Sequence, residues 1–210
     1  MKKFVSITLL TAATLLHAAD TKKFFYDCEK WAEGAPPHEV FVVEGKITVA
    51  SKDGNKALQI EPGGELVEAN ALLGDSANGS ASIEARVFGS KTGRSFPRFG
   101  IGVHGQSGFR LMAFPAKKEL QLVKGDEVVK SVPIDWKPDA WLNLKLDVKK
   151  AADGKWSISG KAWPADASEQ RDATITHDEA TLPGQGKCSI WGTPFSGTPI
   201  LFDDIKIEIE

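Results

Sequence analysis

Six side chains, Arg86, Arg98, His104, Arg110, Lys161 and Trp163, lie on the polar side of segments that alternate residue by residue. Such alternation is the period of a half-buried strand, so adjacent strands can bring these groups onto one sheet face. An indole offers a flat apolar surface, and guanidinium and imidazole N–H groups donate to hydroxyls, a combination that suits a sugar ring. Gly100 and Gly102 sit among them and would let something approach the backbone closely. The plainer alternative is a solvated face whose charges keep a sheet soluble, or one covered by the polar stretch from Pro164 to Gly186.

Other chemistry is weaker. Gly100-Ile101-Gly102-Val103-His104-Gly105 matches the dinucleotide fingerprint by letter, but its glycines lie inside an alternating strand and another strand follows, so no helix N-terminus is available for a pyrophosphate. His38, His104 and His177 are too scattered for a zinc set. Neither a nucleophile elbow nor a reactive-cysteine pattern occurs. Of the six tryptophans, Trp141, Trp156 and Trp191 are assigned to the core, and Trp31, Trp136 and Trp163, beside turns or prolines, to the surface.

The last residues, Ile200 to Glu210, alternate apolar and charged side chains to the end. With Ile205, Ile207 and Ile209 facing the core, the period turns Asp203 inward as well, where a carboxylate is costly unless it is paired, hydrogen-bonded or bound to a cation. Backbone N–H groups or a lysine would satisfy it, as would a Ca²⁺ shared with Glu29 and carbonyls near Gly34. Cys28 and Cys188 are expected to pair as a disulfide if the chain is exported, the alternative being two small buried hydrophobes that never meet.

These residues need strands to hold them. Ser82–Phe88, Arg98–His104 and Phe109–Phe114 form three consecutive strands with one apolar face and an opposite face that is basic, glycine-rich and partly aromatic. Glu119–Lys124 and Val128–Ile134 flank a Gly125-Asp126 turn, a hairpin signal. Trp141–Val148 and Trp156–Trp163 alternate, Lys56–Glu61 ends at Pro62-Gly63-Gly64, and Gly74–Gly79 is read as a loop. Glu65–Leu73 suits a strand or a helix face and is taken as a strand like its neighbours. About a dozen short strands with hardly any helix predict an all-β fold, two packed antiparallel sheets in a β-sandwich, with a jelly roll the first choice.

Met1-Lys2-Lys3, the short apolar run Phe4–Leu16 and the small residues before Asp20 read as a signal peptide over residues 1–19, which predicts a periplasmic or secreted protein. Residues 20–210 then form a single domain with no membrane span. Loss of Lys2 and Lys3 from a leader without acids takes the formal charge from −2 to −4, which argues against a nucleic-acid partner. A monomer is expected.

Phe25-Tyr26-Asp27-Cys28-Glu29, followed by Gly34 and Pro36-Pro37, resembles the opening strand of concanavalin-A-like jelly rolls, where an Asp-Asp-Phe-Glu type segment is common. Lys56-Ala57-Leu58-Gln59-Ile60 and Phe202-Asp203-Asp204-Ile205 resemble that superfamily's second and closing strands. The middle, from Arg98-Phe99-Gly100 through Gly108-Phe109-Arg110-Leu111 to Gly160-Lys161-Ala162-Trp163-Pro164, is similar to secreted laminin-G-like and glucanase-like domains of bacteria. The resemblance implies a concave face that in many relatives binds carbohydrate. It also implies a structural calcium ion where first and last strands meet, carried here onto Glu29 and Asp203, with Cys28 replacing the usual Phe.

The glucanase branch carries its two acids in a Glu-x-Asp-x-x-Glu run, spaced for retaining hydrolysis. Here Glu84 stands alone in Ser82-Ile83-Glu84-Ala85-Arg86, with Arg86 where a second acid is needed. The expectation is therefore a noncatalytic sandwich that binds carbohydrate or another envelope component through one sheet face. The alternatives are a 3-keto-glycoside hydrolase-like enzyme using His104 or Glu84, and a structural module of the cell envelope.

Overall fold

The computed structural model describes residues 21–63 and 68–210. The leader assigned to residues 1–19 lies outside the described residues, as do residues 64–67 of the ambiguous segment. The strands are β1 (Lys22–Tyr26), β2 (Phe41–Glu44), β3 (Ile47–Lys52), β4 (Asn55–Ile60), β5 (Ala69–Ala77), β6 (Ala81–Gly89), β7 (Arg98–Val103) and β8 (Phe109–Phe114). They continue as β9 (Glu119–Lys124), β10 (Glu127–Pro133), β11 (Ala140–Lys150), β12 (Trp156–Pro164), β13 (Ile175–Glu179), β14 (Gly186–Thr193) and β15 (Ile200–Ile209). Only a single 3₁₀ turn, Pro115–Lys117, interrupts them among the described residues.

One sheet runs β13–β12–β11–β6–β15–β4–β3, with β1 also beside β15; the other runs β10–β9–β8–β7–β14–β5–β2. Every pairing is antiparallel, and the sheets face each other across one core. The expected all-β sandwich is therefore the observed fold. Alternation accounts for it: Ile83, Ala85 and Val87 of β6, Phe99 and Ile101 of β7 and Leu144 and Leu146 of β11 have no solvent exposure. Each large apolar side chain so buried contributes about 1.5–3 kcal/mol.

The alternation did not reveal which sheet each strand joins. β6 and β7 belong to different sheets, because the Ser90–Pro97 connection crosses from one layer to the other. Both turn apolar residues toward the shared core, so their polar faces point away from each other. The single basic face expected from β6, β7 and β8 is thus divided between opposite sides of the sandwich.

The closing strand departs from strict alternation. In the β15–β6 register Asp203 pairs with Arg86 and Lys206 with Glu84, so that Asp204 and Ile205 stand against Ala85 alone, which is a β-bulge. Asp204 takes the extra position at φ 48°. Phe202 and Ile205 consequently both enter the core, and Asp203 is turned to the outer face of its sheet, where it is still only 1% exposed. Two smaller differences follow from local chemistry. β5 extends through the expected loop as far as Ala77, helped by the Tyr26 hydroxyl, which accepts the Gly74 N–H at 3.2 Å. β13 forms within the Pro164–Gly186 connection by pairing with β12.

The expected disulfide is absent: Cys28 and Cys188 are both buried free thiols. Cys28 lies in a turn at φ 59° after β1, and Cys188 sits in β14 of the other sheet, 4.0 Å from the Ser82 carbonyl. Burial pushes each thiol up to about 12, so neither is a nucleophile near neutrality. Native protein should resist a thiol reagent, and protein unfolded without reductant should titrate two thiols. Zero titratable thiols after unfolding would restore the disulfide.

Candidate functional site

On the outer face of the seven-stranded sheet, the turn and strand positions of β5, β7, β8, β9 and β14 build a groove from two adjoining depressions of about 230 and 510 Å³. They share Glu68, Arg110 and Asp126. Arg110 leaves β8 at an outward position and lies over the Trp191 ring, its guanidinium carbon 4.3 Å from the ring centroid. Arg98 of β7 covers Phe114 in the same way at 4.8 Å. Glu68 accepts from both arginines, at 3.0 Å from Arg110 and through its other oxygen from Arg98. Arg110 also donates to the Gly125 carbonyl, and the fully exposed Asp126 carboxylate lies 3.5 Å away.

Gly100 and Gly102 explain how these side chains lie so low. A Cβ at Gly100 would collide with the Leu111 carbonyl oxygen and the Met112 sulfur, and one at Gly102 would stand 2.6 Å from Ser189 Oγ and 3.1 Å from Arg110 Cγ. The close approach that glycine permits is thus made by the protein itself, by the backbone of β8 and by side chains that pack down over the strand. Ser189 Oγ in turn accepts from Trp191 Nε1 at 2.7 Å, fixing the indole beneath Arg110. As the fingerprint's context required, β7 leads to another strand and not to a helix.

The six expected ligand residues do not form one site. Arg98 and Arg110 belong to this groove, with Arg110 94% buried in its floor. Arg86, Lys161 and Trp163 lie on the outer face of the opposite sheet. There Lys161 is bound by Glu169 and the Gln170 carbonyl, each at 2.8 Å, from the Pro164–Gly186 connection, and Trp163 is buried. For that face, cover by this connection is the better description.

His104 is a buried residue at the end of β7, at φ 61°. Its Nε2 lies 2.9 Å from the Gly79 carbonyl, and its Nδ1 has no partner among the described residues. Burial holds its pKa below the usual 6.5, against the opposing effect of Gly79.

The junction of first and last strands is held by cations of the protein itself. Arg86 Nε donates to Asp203 Oδ2 at 3.1 Å and faces Asp204 at 3.1 Å, while the Asp204 N–H donates to Asp203 Oδ1 at 2.7 Å. Burial pushes the Asp203 carboxyl up, and Arg86 and that N–H pull it back. Glu29 accepts from the Lys56 N–H at 3.0 Å, and the Lys56 ammonium donates to the Glu29 and Trp31 carbonyls at 3.1 and 2.7 Å. Both Asp203 oxygens and the nearby carbonyls are therefore engaged, and no group of three or more acidic, His or Cys side chains placed to hold a metal occurs among the described residues. This donor set does not fit Ca²⁺, which takes six to eight oxygens.

Several groove residues escaped the sequence reading: Glu68, Asn70, Phe114, Gln106, Asp126 and Trp191. For Trp191 the signal was present, since Cys188 and Ile190 face the core and their alternate neighbours Ser189 and Trp191 must face out. Its aromatic character alone pointed the other way. Trp141 also stands on an outer face, stacked under Arg86 at 4.6 Å.

This architecture is the concanavalin-A-like jelly roll. Solved structures that superpose on it include a seed lectin of Lotus tetragonolobus at 9% identity, covering 89% of this chain and 97% of the lectin with a TM-score of 0.58. The CBM2 module of the evolved Dit of Lactobacillus casei BL23 phage J-1 superposes at 12% identity, covering 90% and 97%, TM-score 0.57. The carbohydrate-binding module CBM66 of Bacillus subtilis does so at 12% identity, covering 80% and 94%, TM-score 0.54. The sequence matches no family model and no curated protein. At these identities the likeness is one of fold.

Two outcomes test the electrostatics. Arg86→Met leaves Asp203 buried beside Asp204 without its counter-charge and should cost about 3–5 kcal/mol in denaturant unfolding. The melting temperature of the wild type should meanwhile be the same in EDTA and in millimolar CaCl₂; a rise with Ca²⁺ would reinstate the ion.

For His104 the folded state binds a proton less readily than the unfolded chain, whose imidazole titrates near 6.5. Stability is therefore highest above that pH and is lost as pH falls through it toward the lower folded value. Melting curves between pH 7.5 and 5 should show this loss, and His104→Asn should flatten it.

Proposed function

We propose that this protein is an exported, monomeric, noncatalytic module that binds a neutral saccharide in the groove on the outer face of the seven-stranded sheet. The observation that carries the reading is the continuity of that groove. Arginine and amide donors, carboxylate acceptors and apolar surface at Phe114 and Val128 follow one another across adjacent strands. A sugar hydroxyl both donates and accepts, and its ring carbons present an apolar side, so a lining of this mixture meets each requirement.

The charge favours a neutral ligand. Arg98 and Arg110 are opposed by Glu44, Glu68 and Asp126 around the two depressions, and Glu68 bridges both guanidiniums. A uronate or sulfated sugar would add its charge to a lining that already holds three carboxylates against two guanidiniums. The lectins and carbohydrate-binding modules of the same fold lend support by analogy alone. The reading as noncatalytic rests on the lack of a Glu-x-Asp-x-x-Glu run, and export on the Met1–Ala19 leader pattern.

A glycan array and polysaccharide retardation gels, each with neutral and uronate-rich members, test this. Neutral glycans should be retained. Asp126→Ala, at an exposed position in the groove, should weaken binding about tenfold or more, as loss of a hydrogen bond to a charged group costs about 1.5–3 kcal/mol, and Gln106→Ala, also exposed, should weaken it severalfold, since a neutral hydrogen bond is worth about 0.5–1.5 kcal/mol. Their melting temperatures should stay unchanged. Wild-type affinity in both variants would remove the groove as the site.

A further inference from the structure

A second pocket, of about 240 Å³, lies on the other side of the sandwich, where the β10–β11 connection meets the end of β12. Its floor is formed by Trp136, Trp141 and Leu142, and Asp135, Lys137 and Asp166 stand at its rim. None of these residues belongs to the groove. We propose that this pocket is a separate binding site for a single neutral pyranose ring.

The floor is rigid before any ligand arrives. Trp141 is packed against Arg86, at 4.6 Å from its ring centroid, and against Phe88, with ring centroids 5.5 Å apart. Arg86 is itself fixed by Asp203. Trp136 is backed by Phe96 and Phe99 at 6.3 and 6.2 Å. Backbone hydrogen bonds from the Asp139 N–H to the Gly89 carbonyl and from the Ala165 N–H to the Trp141 carbonyl, both 3.0 Å, tie the two walls to the sheet. An indole floor held in this way binds a ring without paying for its own ordering.

The rim selects the kind of ring. Asp135, Lys137 and Asp166 are exposed, so they keep contact with water and offer acceptors and a donor around an apolar floor. A purely hydrocarbon ligand would leave these groups without new partners. A pyranose places its C–H face on an indole and its equatorial hydroxyls at the rim, where the charged groups stand. A depression of about 240 Å³ has room for one ring, in contrast with the longer groove on the opposite sheet.

The site shares its ligand class with the groove but none of its residues, so the two are separable. Ala165 is exposed at the pocket mouth, and Ala165→Trp fills it from the solvent side without entering the core. The probe is a panel of methyl pyranosides and N-acetylglucosamine, with tetramethylammonium as a cationic control, titrated against ¹⁵N-labelled protein. The readout is the indole N–H signals, assigned with Trp136→Phe and Trp141→Phe.

At least one sugar should shift the Trp136 and Trp141 signals saturably. Ala165→Trp should weaken that response tenfold or more, and Asp126→Ala should leave it unchanged. Shifts confined to Trp191 would support the groove and overturn the second site. Shifts at Trp136 and Trp141 that survive Asp126→Ala, with no glycan retained by the groove, would support the pocket and overturn the groove. A response to tetramethylammonium alone, or to no member of the panel, overturns the pyranose assignment.

Discussion

The ion pair of Arg86 with Asp203, set into the bulge of β15, is the constraint on which the rest of this sandwich turns. β15 is flanked by β6 along its length, but its other edge is divided between β4 at one end and β1 at the other. One strand serving two partners must bend between them, and an inserted residue supplies that bend together with added twist. The insertion brings a carboxylate to a position with 1% exposure, where only a matched cation makes it tolerable. Arg86 is that cation, delivered by the register of β6. By stacking on Trp141 it also orients the wall of the second pocket.

The same arrangement secures the junction of first and last strands with side chains of the protein itself. Lys56 donates to two main-chain carbonyls, and Arg86 neutralises the buried acid. Each does locally what a hard cation would do, and each is covalently part of the strand it stabilises. The cost is rigidity of sequence, because a change at Arg86 affects the bulge, the buried acid and the indole together.

Strand positions and the inward residues were legible in the sequence, since a period of two identifies which side chains enter a core. Phe99, Ile101, Leu111 and Ile158 all have zero exposure, as alternation required. Period alone does not identify the sheet. Arg86 and Arg98 look like neighbours because both face away from apolar partners, yet the intervening crossover sends them to opposite sides. Asp203 illustrates the other limit, for a bulge reverses the face of every residue before it, and its one mark in the sequence is the Asp203-Asp204 pair, which breaks the alternation between Phe202 and Ile205. Glu68, which ties the groove together, lies in a stretch whose apolar spacing suited either a helix or a strand.

The two arginines of the groove carry the last step. A guanidinium left free on a sheet face would lose several rotatable bonds' worth of freedom on meeting a ligand, but Arg110 is already held by Glu68, Gly125 and the Trp191 ring. Its donors are thus fixed before binding, and so is the shape of the floor they share with Asn70. Fixed donors beside Glu68 discriminate by geometry more than by net charge, because their own charge is already compensated. For the saccharide proposed for this groove, selectivity would follow from where its hydroxyls fall along the spacing of β5, β14, β7 and β8.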